Sequence, residues 1–203
     1  QELKKIISIQ NFNKINSDKT IRDLFLLVFP ELKHINRINK LDSLSIEILK
    51  NKKFEFILSL FLIDKSEDCE YFVYKYSLSN KEKNTINLLN SIFSEDQNQD
   101  FFNKDNLSRI LHKNGKENLI DILDYKILTV KKNKNLYVDL KKYFIELEIP
   151  VLPVKAKDLI EKFGLKEGKI LGLILKEIEE RWLDNNFKIS NHQIEDIVKS
   201  KRI

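Results

Sequence analysis

A group of basic side chains near the C-terminal end of the sequence has the chemistry of a phosphate-binding surface. The group consists of Lys155, Lys157, Lys162, Lys166 and Lys169, with Gly168 between the last two. Lysine ammonium groups bind phosphates as point charges, and the first N–H groups of a helix also attract anions. The residue pattern predicts two helix starts here, and the glycine would allow close backbone approach at the second. These six residues are therefore predicted to contact the phosphates of a polyanion.

A second, smaller basic group surrounds a predicted turn at Gly115. Its members are Arg109, Lys113 and Lys116. For both groups the alternative interpretation is a solvated basic face in a lysine-rich chain, with the glycines serving only as helix caps and packing positions. The formal net charge of +5 permits binding to a polyanion but does not require it, because 31 acidic residues are interspersed with 36 basic ones.

No group of residues predicts a catalytic centre or a metal site. The three histidines, His34, His112 and His192, are far apart, and the His-Glu-x-x-His spacing of a zinc site does not occur. Cys69 lies in an acidic setting, which would raise its pKa and disfavour the reactive thiolate. The sequence contains neither a glycine-rich phosphate loop nor a Gly-x-Ser-x-Gly motif. We therefore expect no catalytic residue, no metal ligand and no cofactor in this chain.

The elements that would hold these residues are predicted to be helices. Only 4 glycines and 3 prolines occur in 203 residues, and apolar residues recur at helical spacing. In the first half, Ser17 is a predicted N-cap, residues 32–41 continue the helical period, and residues 54–62 form an apolar helix central to the core. Ser79 and Glu82 match a capping box.

In the second half, a polar segment over residues 94–100 predicts a linker, and Pro150 and Pro153 bracket an extended link. Three more helices are predicted beyond it, in a tail that begins at about residue 150. The predicted architecture is an all-α, multi-helical array with a small helical C-terminal subdomain. Its predicted domains are a helical body over residues 1–97 and a second helical part over residues 98–203.

Composition indicates a globular protein without a membrane span. Hydrophobic residues make up 42% of the chain, and no apolar run approaches the roughly 18 residues that a membrane helix needs. The single cysteine fits a reducing compartment, so the predicted location is cytoplasmic. The chain contains no methionine and opens on Gln1, and we therefore expect it to be a fragment of a longer protein.

Short motifs spread over the chain form an ordered series. They are Phe29-Pro30-Glu31-Leu32, Leu78-Ser79-Asn80-Lys81-Glu82, Leu111-His112-Lys113-Asn114-Gly115-Lys116 and, in the tail, Asp158-Leu159, Gly164, Gly168, Gly172, Leu175, Glu179, Trp182 and Phe187. In this order they resemble the C-terminal body and tail of bacterial CCA-adding tRNA nucleotidyltransferases and the related poly(A) polymerases. Two departures are Ala156, where the family usually has glycine, and the absence of prolines beside Gly168.

The resemblance implies a parent enzyme that adds nucleotides to an RNA 3′ end. In that family an N-terminal catalytic head uses Mg²⁺ with CTP or ATP, and its Gly-Ser motif, paired aspartates and Glu-Asp-x-x-Arg motif are absent from this sequence. The chain would instead supply the body and tail, with tRNA or another RNA 3′ end and the missing head as partners. The resemblance further implies that the two basic groups bind RNA and that Gly172 is a packing glycine. Trp182 lies on the apolar face of its predicted helix, which favours a core anchor over a base-stacking platform.

Three alternatives remain open at this point. Residues 158–175 also resemble a helix-hairpin-helix, in which a glycine-containing turn between helices holds a DNA phosphate. The chain could instead be a helical scaffold that binds another protein, with lysines that only increase solubility. A third alternative is the product of a gene that has lost its head.

Overall fold

The computed structural model describes residues 2–7, 15, 17–38, 42–64, 68–94, 99–148, 150–185 and 187–201. Within these ranges all regular secondary structure is helical, which confirms the predicted all-α fold. The predicted domain boundary between residues 97 and 98 lies outside the described residues and stays a prediction.

The described part contains eleven α-helices and two short 3-10 helices. The α-helices are α1 (Glu2–Ile6), α2 (Lys19–Val28), α3 (Ser43–Lys50), α4 (Phe54–Leu62), α5 (Asp68–Lys75), α6 (Asn80–Phe93), α7 (Lys104–Thr129), α8 (Lys134–Glu146), α9 (Ala156–Phe163), α10 (Lys169–Asp184) and α11 (Asn191–Ser200). The 3-10 helices are Ile35–Ile38 and Gln99–Phe102. No helix in this part is long and apolar enough to cross a lipid bilayer.

Side-chain caps begin several of these helices, because the first N–H groups of a helix lack partners within it. The predicted capping box at α6 is confirmed, since Ser79 accepts the N–H of Glu82 and the Glu82 carboxylate accepts the N–H of Ser79. The predicted N-cap of α2 at Ser17 is wrong. The neighbouring Asp18 takes that position, and its carboxylate accepts the N–H groups of Thr20 and Ile21.

The chain forms two compact units, and the first comprises residues 1–101 and 116–146. Its core is built around α4, where Leu58, Leu60 and Phe61 are fully buried. This helix packs against α6 and against the 3-10 helix Ile35–Ile38. The central position predicted for the apolar helix over residues 54–62 is thereby confirmed.

The segment before α3 differs from the prediction. An α-helix was expected over residues 32–41, but the described residues of this segment form only the 3-10 helix Ile35–Ile38. Leu32 and Ile35 are both completely buried. Packing of these two side chains against the core therefore decides the backbone here, in place of the local helical period.

A buried ion cluster also lies in the first unit. The carboxylate of Asp124, only 2% exposed, accepts from Lys52 Nζ at 2.7 Å and from Lys141 Nζ at 2.6 Å. Lys52 is 11% exposed and also donates to Asp121 at 2.5 Å. Burial raises the pKa of Asp121, and Lys52 opposes that rise. The cluster thus surrounds one nearly inaccessible carboxylate with two ammonium groups.

The second unit comprises residues 102–115 and 147–203 and includes the three predicted tail helices α9, α10 and α11. Its core is formed by Leu159, Leu165, Leu171, Ile174, Ile178, Ile194, Ile197 and Val198. Trp182 is 1% exposed and meets the rings of His112 and Phe187 edge to face. The prediction that Trp182 is a core anchor is confirmed.

Helix α7 is interrupted at Gly115, where the backbone adopts φ 82° and ψ 166°. Essentially only glycine occupies this conformation. We expect Gly115→Ala to lower the free energy of unfolding by roughly 1–3 kcal/mol, as measured by urea denaturation. An added Cβ would meet no atom within 4 Å, so the cost would be conformational rather than steric.

Gly172→Ala provides the matched control for this prediction. Gly172 is a helical residue of α10 without positive φ, and a Cβ there also meets no atom within 4 Å. The control should stabilise the protein by about 0.5–1 kcal/mol, because alanine is the better helix former. Substitutions with the same sign and size at both positions would contradict the conformational account of Gly115.

Candidate phosphate-binding surface

The start of α10 differs from the capped helix starts described above. Its N-cap residue, Gly168, has φ 149° and offers no side chain to accept an N–H group, and the first turn of the helix contains no acidic residue. Lys169 instead adds a positive charge to that turn. Because the N-terminus of a helix carries partial positive charge, this end of α10 has the electrostatics of an anion-binding position.

The lysines of the tail fall into two classes. Lys155, Lys166 and Lys169 are exposed, and no carboxylate pairs with them within the described ranges. Lys157 pairs with Glu161 at 3.6 Å, and Lys162 pairs with Glu195 at 3.3 Å. The six residues predicted for the larger basic group all belong to the second unit, but only part of the group consists of unpaired cations.

The start of α9 is electrostatically different from that of α10. The carboxylate of Asp158 accepts the backbone N–H of Lys155 at 2.8 Å, and so places a negative charge in the first turn. A phosphate would be repelled by this carboxylate. Of the two helix starts predicted for this group, that of α10 is therefore the better anion position.

The smaller basic group is divided between the two units. Arg109 and Lys113 belong to the second unit, whereas Lys116 belongs to the first. Arg109 forms an exposed ion pair with Asp184 at 2.7 Å. Lys116 donates to the backbone carbonyl of Ile145 at 2.9 Å. Lys113 is exposed, and no carboxylate is paired with it in the part of the chain that the structure describes.

An apolar strip lies beside the basic residues and was not predicted from the sequence. Ile170 and Leu173 of α10 are 56% and 49% exposed, and they are neighbours on the helix surface because they are three residues apart. The packing role implied for Gly172 is wrong within this chain, because a Cβ there would contact nothing. The helical period could not have revealed the strip, because Ile170 is four residues before the buried Ile174 and therefore belongs to the same side of the helix.

The cysteine and two of the histidines, whose side chains could in principle act in catalysis, are either buried or close to a carboxylate. Cys69 is buried, and burial raises the pKa of its thiol to about 11, with smaller contributions from Glu70 and Asp64. The predicted direction of this shift is confirmed, although its main cause is burial. His34 lies 3.0 Å from the carboxylate of Asp64, and His192 lies 2.9 Å from the carboxylate of Asp196.

Comparison with protein-family models matches residues 49–198 to the family described as tRNA nucleotidyltransferase domain 2. The chain belongs to this family. The match covers most of the chain, and it confirms the predicted relationship to the body and tail of the nucleotidyltransferases. A search of curated proteins found no match to this chain.

The nucleotidyltransferase match includes α4 to α10 and the whole of the larger basic group. Among the described residues, no three His, Cys, Asp or Glu side chains lie close enough together to hold a metal ion. The Mg²⁺ implied for the family's catalytic head therefore finds no fitting site in this part of the chain.

Proposed function

We propose that this chain is the RNA-holding body and tail of a cytoplasmic tRNA nucleotidyltransferase. A separate catalytic head, with Mg²⁺ and CTP or ATP, would add nucleotides to the RNA 3′ end. The family membership supports tRNA as the partner. The observation that carries the holding role is the uncapped start of α10, with its exposed glycine and unpaired lysines.

The chemistry of this surface suits a phosphate backbone. Structured RNA is bound largely through its phosphates and its shape, and helix N-termini and lysines are the groups that make such contacts. In the proposed arrangement the first N–H groups of α10 receive one phosphate, while Lys166 and Lys169 neutralise its neighbours. Lys155 extends the same surface. The paired lysines contribute less, because a phosphate would first have to displace a glutamate.

This distinction between paired and unpaired lysines can be tested by charge reversal. We expect the triple substitution Lys155→Glu, Lys166→Glu and Lys169→Glu to weaken tRNA binding at low salt by more than about tenfold. The slope of log affinity against log salt should also fall by roughly 2–3, since each of the three lost phosphate contacts removes about 0.7–0.9 from it. Both quantities can be measured by fluorescence anisotropy with labelled tRNA.

The control variant reverses the charge of three tail lysines that pair with glutamates. These are Lys157, Lys162 and Lys176, whose partners are Glu161, Glu195 and Glu180. This control changes the net charge by the same amount, so it separates a local surface from general charge attraction. Equal losses in the two triple variants would refute the assignment of the surface around α10. An unchanged affinity in the first variant would refute the holding role of the tail.

A further inference from the structure

The first unit contains a polar groove that has no assigned role. It lies between α5 and α6 and has a volume of about 430 Å³, which is within the roughly 300–1,000 Å³ of small-molecule sites. Helix α6 contributes Lys83, Asn87, Asn90 and Ser91, which share one face of the helix because of their spacing. We call this feature the Asn90 groove.

An unsatisfied acceptor lies in the wall of the Asn90 groove. The side-chain Oδ1 of Asn90 is buried, and no described group donates a hydrogen bond to it. Leaving a buried acceptor unpaired is costly, and such groups in native proteins commonly mark a place where a ligand or water supplies the donor. The ligand of this groove should therefore carry an N–H or O–H donor that can reach Asn90.

The other groups of the groove complement a nucleotide. Tyr74 of α5 is 83% exposed and presents an aromatic side chain at the groove. Lys83 is not paired with any carboxylate in the described ranges, and is therefore available for a phosphate. Asn87 adds a second amide, with both donor and acceptor atoms. A stacking ring, two amides on one helix face and one cation match the base, its polar edge and its phosphate. Glu70 of α5 also lines the groove, and its carboxylate would disfavour a phosphate placed beside it, so Lys83 is the only group of the groove that could hold the phosphate by charge.

We propose that the Asn90 groove binds a single unpaired nucleotide whose base carries an exocyclic amino group. The amino group donates to Asn90 Oδ1, the base stacks on Tyr74, and the phosphate lies at Lys83. This site goes beyond the tail surface of the proposed function and does not depend on it, because all of its residues belong to the first unit.

The first test is titration of the full chain with AMP, IMP and inorganic phosphate, followed by NMR of the side-chain amides. AMP and IMP share the phosphate, the ribose and the purine ring, but IMP lacks the amino group. AMP should bind more tightly than IMP by roughly 5- to 100-fold and should shift the Asn90 amide signals. Equal binding of AMP and IMP, or of AMP and phosphate alone, would overturn the proposal.

Two variants and one control complete the test. The substitutions Tyr74→Ala and Asn90→Ala should each weaken the binding of AMP by roughly 5- to 100-fold. Asn84→Ala, an exposed residue of the same helix outside the groove, should leave AMP binding unchanged. Loss of affinity in the control, or its retention in both variants, would overturn the proposal. The charge-reversed tail variant should bind AMP as the unaltered chain does, so this proposal and the tRNA-holding proposal can fail separately.

Asn90→Ala has a second readout that a purely structural asparagine would not produce. Because the substitution removes an unpaired buried acceptor from a helix and introduces a better helix former, it should raise the thermal unfolding midpoint while it weakens AMP binding. A lowered midpoint would show that Asn90 serves the fold, and would overturn its assignment as a ligand contact.

Discussion

Replacing Trp182 by alanine is expected to lower the free energy of unfolding of the second unit by about 3–5 kcal/mol. The indole is 1% exposed, and its ring centre lies 5.3 Å from that of His112 and 4.8 Å from that of Phe187. It therefore joins the N-terminal part of α7 to α10 and to the segment that follows α10. The substitution would remove these contacts and leave a cavity that the surrounding side chains could fill only in part.

The loss can be followed by urea denaturation monitored through far-ultraviolet circular dichroism. Leu173→Ala is a suitable control, because Leu173 is an apolar residue of the same helix that is 49% exposed. The control should change the free energy by no more than about 0.5 kcal/mol, as is usual for surface positions. Similar losses in the two variants would argue against the anchor role of Trp182.

Asp124→Ala should destabilise the first unit by about 3–5 kcal/mol. The carboxylate is 2% exposed and binds two ammonium groups, so its removal leaves Lys52 and Lys141 with one carboxylate oxygen fewer each in a poorly solvated region. Breaking a buried ion cluster by removing one partner is costly for this reason, even where the intact cluster adds little net stability.

An exposed ion pair provides the comparison for this prediction. Glu117 lies 2.6 Å from Lys53, and these side chains are 77% and 55% exposed. Glu117→Ala should cost about 0–1 kcal/mol, because solvent screens such pairs. Thermal and urea unfolding of the two variants can be compared directly. If Asp124→Ala costs no more than Glu117→Ala, the buried cluster is not a structural requirement of the first unit.

Local signals in the sequence predicted much of the fold. The capping box at Ser79 and the apolar run of α4 each depend on residues close together in the chain, and the structure contains both elements. The segment around Ile35 could not be predicted in this way. Its local period favours an α-helix, but its conformation is decided by burial against side chains distant in sequence.

The candidate site shows the same division between local and long-range information. The pairing of Lys157 with Glu161 follows from an i,i+4 spacing and is visible in the sequence. The ion pair between Lys162 and Glu195 joins α9 to α11, which are distant in sequence, so it becomes visible only once the tail is packed. The Asn90 groove likewise exists only because α5 and α6 pack side by side. The residue types therefore predicted a phosphate-binding surface. Only the tertiary structure shows which lysines of that surface are not paired with a carboxylate.

The proposed tRNA-holding role can be tested by binding of the unaltered chain to tRNA, duplex DNA and heparin over a salt series. We expect tRNA to bind most tightly and its affinity to decrease by roughly 0.7–0.9 log units per log unit of salt for each phosphate contacted. Equal binding to the three polyanions, tighter binding to duplex DNA, or no binding to tRNA at low salt would contradict the proposal that this chain holds tRNA.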